Sequence, residues 1–159
     1  MRYTQLDRIE AVDAGRAGRG VKVATRADET YSEHAVRHAV ASGYPWSLAL
    51  EGMFQLASLV LTAGEAEPAL VFLLRIDEAR FERPIPFGAR LDFTLCVLGR
   101  NAELARVACD AAIDGVPAGS ARFAVGFRPL TGPMIEGYRL HAGFVTEGWR
   151  RLAALGGDA

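Results

Sequence analysis

Hydrophobic and polar residues alternate along most of the second half of the chain. This alternation is typical of strands with one buried face. It also occurs once near the start, after a glycine-rich turn expected over residues 15–20. The predicted strands are residues 21–27, 69–76, 90–98, 104–113 and 120–128. Gly99-Arg100-Asn101 and Asp114-Gly115 supply hairpin-turn residues between the last three, so the second half is predicted to be an antiparallel meander.

A different pattern covers residues 46–63, which are apolar over a length that exceeds an ordinary strand. Pro45 suits the entry to a helix, and the run predicts a helix of roughly five turns. Its polar residues recur every three or four positions and therefore form one narrow stripe: Ser47, Glu51, Gln55, Ser58 and Thr62. One strand, one apolar helix and several antiparallel strands predict an α+β domain whose sheet wraps around a single central helix.

Length and charge narrow the possible classes of protein. With 159 residues, 50% of them hydrophobic, the chain has room for one well-filled core. We expect a domain at residues 1–128 and an extension at residues 129–159 that packs on it; His141 in the extension is interpreted as a surface histidine. The net charge of −1 predicts no nucleic-acid partner, and Glu51 and Gln55 interrupt the apolar run where a membrane-spanning helix would tolerate them least.

The two cysteines, Cys96 and Cys109, lie in predicted strands without the paired spacings of a disulfide framework. No histidine or carboxylate stands at ligand spacing from them, so no metal site is predicted. Residues 1–8 are polar and lack the apolar segment of a secretory signal. We therefore expect a cytoplasmic protein.

The carboxylate of Glu51 is the main candidate for chemistry. Burying an unpaired carboxylate costs free energy, so a glutamate in an apolar helix has two interpretations. Either the polar stripe faces solvent, or Glu51 lies in a cleft as an acid, with Gln55 one turn later to orient substrate or water. His34 and His38 lie upstream, and a histidine beside a carboxylate can supply acid–base catalysis, although loop histidines are commonly only solvated.

Four segments, in order along the chain, resemble the 3-hydroxyacyl-[acyl-carrier-protein] dehydratases, which have the hotdog fold. Leu6-Asp7-Arg8-Ile9 is similar to the opening segment of that family. Thr25, Asp28 and His34 reproduce its spacing of threonine, acid and catalytic histidine, which favours His34 over His38. Residues 50–55 are similar to its helix motif E-A-x-x-Q, with Glu51 at the catalytic position. Residues 74–86 follow its segment I-D-x-A-x-F-R-R-P-V-x-P, which is the most specific of the four matches.

The resemblance implies a curved antiparallel sheet around the helix, and two protomers that build each site at their interface. His34 would remove the proton alpha to the thioester carbonyl, and Glu51 would protonate the departing beta hydroxyl. Backbone N–H groups at Trp46 and Ser47 would polarise the carbonyl. Gln55 would bind substrate, and no metal or organic cofactor is implied. The expected substrate is an acyl thioester on acyl-carrier protein or coenzyme A, in fatty-acid or polyketide-type synthesis.

The chain also departs from the family pattern around the histidine. The family's glycines there are absent, Trp46 replaces a glycine, and His34 and Glu51 stand 17 positions apart, more than is usual. A non-catalytic subunit of a heterodimeric dehydratase, an acyl-binding protein, a thioesterase and an enoyl hydratase are therefore alternatives to an active homodimer. Arg80, Arg83 and Arg90 are candidates for docking an acidic carrier protein.

Overall fold

A computed structural model describes residues 5–26, 43–65 and 69–129 of the protein. In these residues the chain forms six strands and one long helix. The elements are β1 (Arg8–Asp13), β2 (Ala17–Val23), α1 (Trp46–Thr62), β3 (Ala69–Phe81), β4 (Arg90–Arg100), β5 (Leu104–Ile113) and β6 (Val116–Pro129).

All strand pairs are antiparallel, and the sheet has the order β1-β2-β4-β5-β6-β3. The predicted meander is confirmed for β4, β5 and β6. Asp114 and Gly115 take φ angles of 50° and 82°, which match the twist of a two-residue hairpin. In the other turn, Oδ1 of Asn101 accepts from the N–H groups of Glu103 and Leu104 at 2.9 and 2.8 Å. Strand β3 does not join the meander in sequence order but crosses to the far edge, beside β6.

The helix lies against one face of the sheet and forms the core with it. It contacts β1 and β2 as well as β3 and β4, so the sheet wraps around it from both sides. Met53, Leu56 and Val60 of α1 are fully buried, as are Leu91 and Phe93 of β4. The predicted α+β arrangement around one central apolar helix is therefore confirmed, and the helix ends one residue before its predicted end.

The prediction for the start of the chain is wrong in detail. Strand β1 was not predicted, and the glycine-rich residues expected to form a turn belong mainly to β2, which ends at Val23. Packing explains the difference. A Cβ added at Gly18 would lie 2.5 Å from Cγ2 of Val60, so glycine lets this strand run directly beneath the helix.

Several predictions fall outside the described residues. These include His34, His38, His141 and nearly all of the extension at residues 129–159, of which only Pro129 is described. Within residues 5–26, 43–65 and 69–129, no helix is long and apolar enough to cross a membrane.

Candidate active site

Glu51 lies in the second turn of α1 and is half-buried. Its Oε1 accepts a hydrogen bond from Nε2 of Gln55 at 2.9 Å, one turn further along the helix. Because i and i+4 side chains lie on the same helix face, the helix itself brings this pair together. The carboxylate is therefore held at one oxygen by a neutral donor.

The amide of Gln55 is in turn held from the N-terminal segment. Oε1 of Gln55 accepts from the backbone N–H of Gln5 at 3.2 Å, and the hydroxyl of Tyr44 donates to Oε1 of Gln5. All three of these side chains are buried. A chain of hydrogen bonds thus runs from Tyr44 through Gln5 and Gln55 to Glu51.

The burial of the polar stripe decides between its two interpretations. Gln55 is 2% exposed and Ser58 is 4% exposed, so the hypothesis that the stripe faces solvent is wrong for these positions. Ser47 at the start of the helix is exposed, and the exposure of Glu51 is intermediate between that of Ser47 and that of Gln55. The carboxylate thus lies at the boundary between the buried part of the helix and its accessible N-terminal end.

The helix begins after Pro45, whose backbone is extended at φ −66° and ψ 133°. The N–H groups of Leu48 and Ala49 bond to the carbonyl of Pro45 at 3.1 and 3.3 Å. Those of Trp46 and Ser47 come earlier in the first turn, where backbone donors have no intrahelical acceptor. Such donors and the helix dipole stabilise negative charge, so this end suits a polarised carbonyl oxygen.

The side chain of Trp46 is fixed against the end of β3. Its ring stacks on Phe81 with centroids 4.6 Å apart and planes inclined by 15°. Its Nε1 donates to the carbonyl of Arg83 at 2.8 Å. A Cβ at Gly119 would lie 2.8 Å from the indole, so that glycine makes room for it. The indole is therefore a packing group of the fold, and the backbone N–H is the part of Trp46 suited to a ligand.

The three candidate docking arginines already contact groups of the protein itself. Arg83 donates from Nη2 to the carbonyls of Ile113 and Val116, at 3.0 and 2.8 Å, and so braces the β5–β6 hairpin. Arg90 pairs with both Glu10 and Asp92, and Arg80 pairs with Glu78. The side chain of Arg80 is 73% exposed, more than that of Arg90 at 45%. Arg80 is therefore more accessible than Arg90.

The structure places four candidate residues within positions 46–55 of one helix: Trp46, Ser47, Glu51 and Gln55. The predicted partner His34 lies outside the described residues, so its pairing with Glu51 stays a prediction. Gln5 and Tyr44 were missed by the sequence analysis. Their available signals were weak: Gln5 immediately precedes the Leu6-Asp7-Arg8-Ile9 segment, and Tyr44 immediately precedes Pro45 at the helix entry.

Fold and site together define a hotdog protein that carries a carboxylate on its central helix. No family model matches the sequence. The chain is similar to the 3-hydroxyacyl-[acyl-carrier-protein] dehydratase FabZ of Allorhizobium ampelinum, at 30% identity over 118 residues, which cover 71% of this chain and 72% of the relative. It is 27% identical over 114 residues to FabZ of Rhizobium leguminosarum bv. trifolii, with 71% and 72% covered. The chain therefore belongs to the 3-hydroxyacyl-[acyl-carrier-protein] dehydratase family.

Solved structures agree with the fold. The dehydratase heterocomplex ApeI:P from Xenorhabdus doucetiae superposes with a TM-score of 0.66 at 17% identity, covering 86% of this chain and 90% of that one. A mutant thioesterase from Pseudomonas aeruginosa gives a TM-score of 0.59, also at 17% identity, with 77% and 81% covered. Since both dehydratases and thioesterases share this scaffold, the reaction has to be argued from the site.

Proposed function

We propose that the protein dehydrates a 3-hydroxyacyl thioester to a trans-2-enoyl thioester, in fatty-acid or polyketide-type synthesis. The observation that carries this proposal is the half-buried carboxylate of Glu51, held at Oε1 by Gln55. A carboxyl group with one oxygen fixed and the other available is suited to hand a proton to a leaving hydroxyl. Membership of the dehydratase family gives this acid its expected substrate.

In the proposed reaction, His34 takes the proton from the alpha carbon of the thioester. The electron pair of that C–H bond forms the new double bond between the alpha and beta carbons. The beta C–O bond breaks, and the hydroxyl leaves as water after it receives a proton from Glu51. The N–H groups of Trp46 and Ser47 stabilise the charge that develops on the thioester oxygen. These steps require no metal or organic cofactor.

The exposed edge of the sheet supports pairing of two hotdog subunits. Within the described ranges, β3 pairs with β6 on one side only, along its whole 13-residue length. Leu73, Leu74 and Ile76 on this strand are 43%, 52% and 41% exposed. An open strand edge with apolar side chains is a favourable place for another strand to pair. We therefore propose that two subunits pair through β3, so that His34 of one subunit serves Glu51 of the other.

The carrier is proposed to be acyl-carrier protein, an acidic partner, with coenzyme A as the alternative. Arg80 and Arg83 lie around the stacked pair Trp46 and Phe81, near the start of the helix that bears Glu51. Arg80 has the exposed guanidinium that a rim contact with an acidic surface needs. Arg83 braces the neighbouring β5–β6 hairpin through the contacts described above, and the backbone N–H of Arg90 donates to Oδ1 of Asp114 in the same hairpin at 3.0 Å.

A second candidate is a subunit that needs a related partner for activity. The observation that favours it is the altered sequence between His34 and Glu51, which lacks the glycines of the family and is longer. The similar ApeI:P structure is itself a dehydratase heterocomplex. In this case Glu51 would still act, but the catalytic histidine would come from the related partner subunit and not from His34 of a second copy of this chain.

The test measures enoyl formation from 3-hydroxyacyl carrier-protein and coenzyme A substrates, with thiol release followed in parallel. His34→Ala and Glu51→Gln are each expected to lower turnover at least about 100-fold. His38→Ala and Glu65→Gln are the matched controls and should retain it. Unchanged turnover in both test variants would refute the dehydratase proposal. Activity that appears only after mixing with a related subunit would support the second candidate, and thiol release without enoyl product would indicate a thioesterase.

A further inference from the structure

Three hydrogen bonds link Tyr44, Gln5 and Gln55 to Glu51. The hydroxyl of Tyr44 donates to Gln5, the backbone N–H of Gln5 donates to Gln55, and Nε2 of Gln55 donates to Glu51. Gln5, Tyr44 and Gln55 are at most 2% exposed, so water competes little for these bonds. The last two of these bonds share the amide of Gln55, so they polarise each other. The hydroxyl of Tyr44 bonds instead to the side chain of Gln5 and so holds the residue whose backbone N–H makes the next bond.

The backbone N–H of Gln5 fixes which way the amide of Gln55 faces. This N–H is only a donor, so Oε1 of Gln55 must lie against it, at 3.2 Å. The NH2 group of Gln55 is then directed to Oε1 of Glu51, which accepts its bond at 2.9 Å. The carbonyl oxygen of a protonated carboxyl group is its stronger acceptor, so this bond favours placing the acid proton on Oε2.

The N-terminal segment is itself tied to the sheet by Asp7. Its Oδ2 accepts from the N–H of Val23 at 2.6 Å, and its Oδ1 accepts from Nζ of Lys22 at 3.0 Å. The N–H of Asp7 donates to the carbonyl of Val21 at 2.8 Å. These contacts hold residues 5–7 on β2, so the N–H of Gln5 has a fixed position relative to the helix.

We infer that residues 5–7 and Tyr44 form a positioning device for the catalytic acid, acting through Gln55 on Glu51. This inference rests on the proposed function. When Glu51 gives its proton to the departing hydroxyl, it becomes a carboxylate, and the Nε2 group of Gln55, oriented by the N–H of Gln5, stabilises that charge at Oε1. The device therefore lowers the free energy of the transition state without contacting substrate, and it should influence kcat far more than KM.

Tyr44→Phe tests the device because it removes one hydroxyl and keeps the buried ring. We expect kcat to fall about 10-fold with KM changed by less than about twofold. Thr62→Val is the matched control: it removes a hydroxyl that donates to the carbonyl of Ser58 at 2.7 Å on the same helix, two turns beyond Gln55. It should leave kcat unchanged. Asp7→Asn is a second variant, which weakens the attachment of the segment and should also lower kcat selectively.

The same substitutions in a Glu51→Gln background separate positioning from a general structural role. If Tyr44 acts through the carboxylate, Tyr44→Phe should leave the residual rate of Glu51→Gln unchanged, whereas general damage to the fold would lower it further. Wild-type kcat in both Tyr44→Phe and Asp7→Asn would overturn the inference while leaving the proposed function intact. Wild-type kcat in both Glu51→Gln and His34→Ala would overturn the proposed function itself.

Discussion

Gly52 faces the backbone carbonyl of Gln5 at a distance that only glycine permits. A Cβ at this position would lie 2.8 Å from that oxygen and 3.0 Å from Cε2 of Phe93. Gly52 directly follows Glu51, at the place where the family motif E-A-x-x-Q has alanine. The close approach of residues 5–7 to the helix therefore depends on the residue beside the proposed catalytic carboxylate.

Gly52→Ala should consequently weaken the hydrogen bond from Gln5 to Gln55. The carbonyl of Gln5 belongs to the backbone, so the segment must shift to relieve a 2.8 Å contact. We expect kcat to fall about 10-fold, while the higher helix propensity of alanine, about 1 kcal/mol, offsets much of the cost in stability. Steady-state kinetics and a melting curve check this. Gly99→Ala is the control, because the added Cβ meets open space and kcat should not change. A normal kcat in Gly52→Ala would contradict the expectation.

The indole of Trp46 should contribute to stability in two separable parts. Trp46→Phe keeps an aromatic ring to stack on Phe81 but loses the bond to the carbonyl of Arg83. We expect it to reduce the free energy of unfolding by about 1 kcal/mol. Trp46→Ala loses both and should cost about 3 kcal/mol. Denaturant unfolding measures these values. Equal losses in the two variants would mean that the ring packing contributes nothing.

How far the sequence predicts this protein depends on the range of the interactions involved. The helix at Trp46–Thr62 and strand β5 were predicted to within one residue because their periodicity is local. Strand β2 was misplaced because its glycines are explained only by the helix that packs on them, from a distant part of the chain. The crossing of β3 to the far edge is likewise a tertiary property that no local pattern contains.

The candidate site divides in the same way. Glu51 and Gln55 were predicted because they share a helix face and match a family motif. Gln5 and Tyr44 were not, because one acts through its backbone N–H and the other from a position 39 residues away from its partner. A backbone donor leaves no mark in the side-chain pattern, so structure was needed to find it.

The two cysteines should differ sharply in reactivity. Cys96 is exposed on β4, whereas Cys109 is buried on β5. Burial raises the pKa of the Cys109 thiol, and the nearby Asp110 adds to this effect. Since the thiolate is the reactive form, Cys109 should react more than about 100-fold slower with a disulfide reagent in the folded protein. Thiol titration of the native protein should thus show one rapidly reacting thiol, which Cys96→Ser removes. A second rapidly reacting thiol would contradict the burial of Cys109.

Glu10 should make stability depend on pH. Its hydrogen bond with Arg8 lowers the pKa of Glu10 below its ordinary value of 4.5, and the charge of Arg90 adds to this effect. A lowered pKa in the folded state means that the stabilisation is present above 4.5 and is lost as the pH falls through the folded-state pKa. Glu10→Gln should therefore lower the melting temperature at pH 7 by about 2 °C. In acid, the melting temperatures of the variant and of wild type should converge. Glu103→Gln, an exposed glutamate in the β4–β5 turn, is the control. If the melting temperature of Glu10→Gln stayed below that of wild type in acid, the ion pairs of Glu10 with Arg8 and Arg90 would not be the cause of the difference.

The edge of β3 that has no paired strand among the described residues should control assembly and, through it, catalysis. Leu74→Arg places a charge on the edge strand, where desolvating it in an apolar interface is costly. We expect the variant to sediment as a monomer and to lose dehydration activity, since the proposed site takes its histidine and its carboxylate from two subunits. Leu98→Arg is the matched control. Its side chain is 54% exposed, against 52% for Leu74, but it lies at a bulge of β4, an inner strand of the sheet. A Leu74→Arg monomer with full activity would contradict a shared site, and loss of assembly in Leu98→Arg alone would place the interface elsewhere.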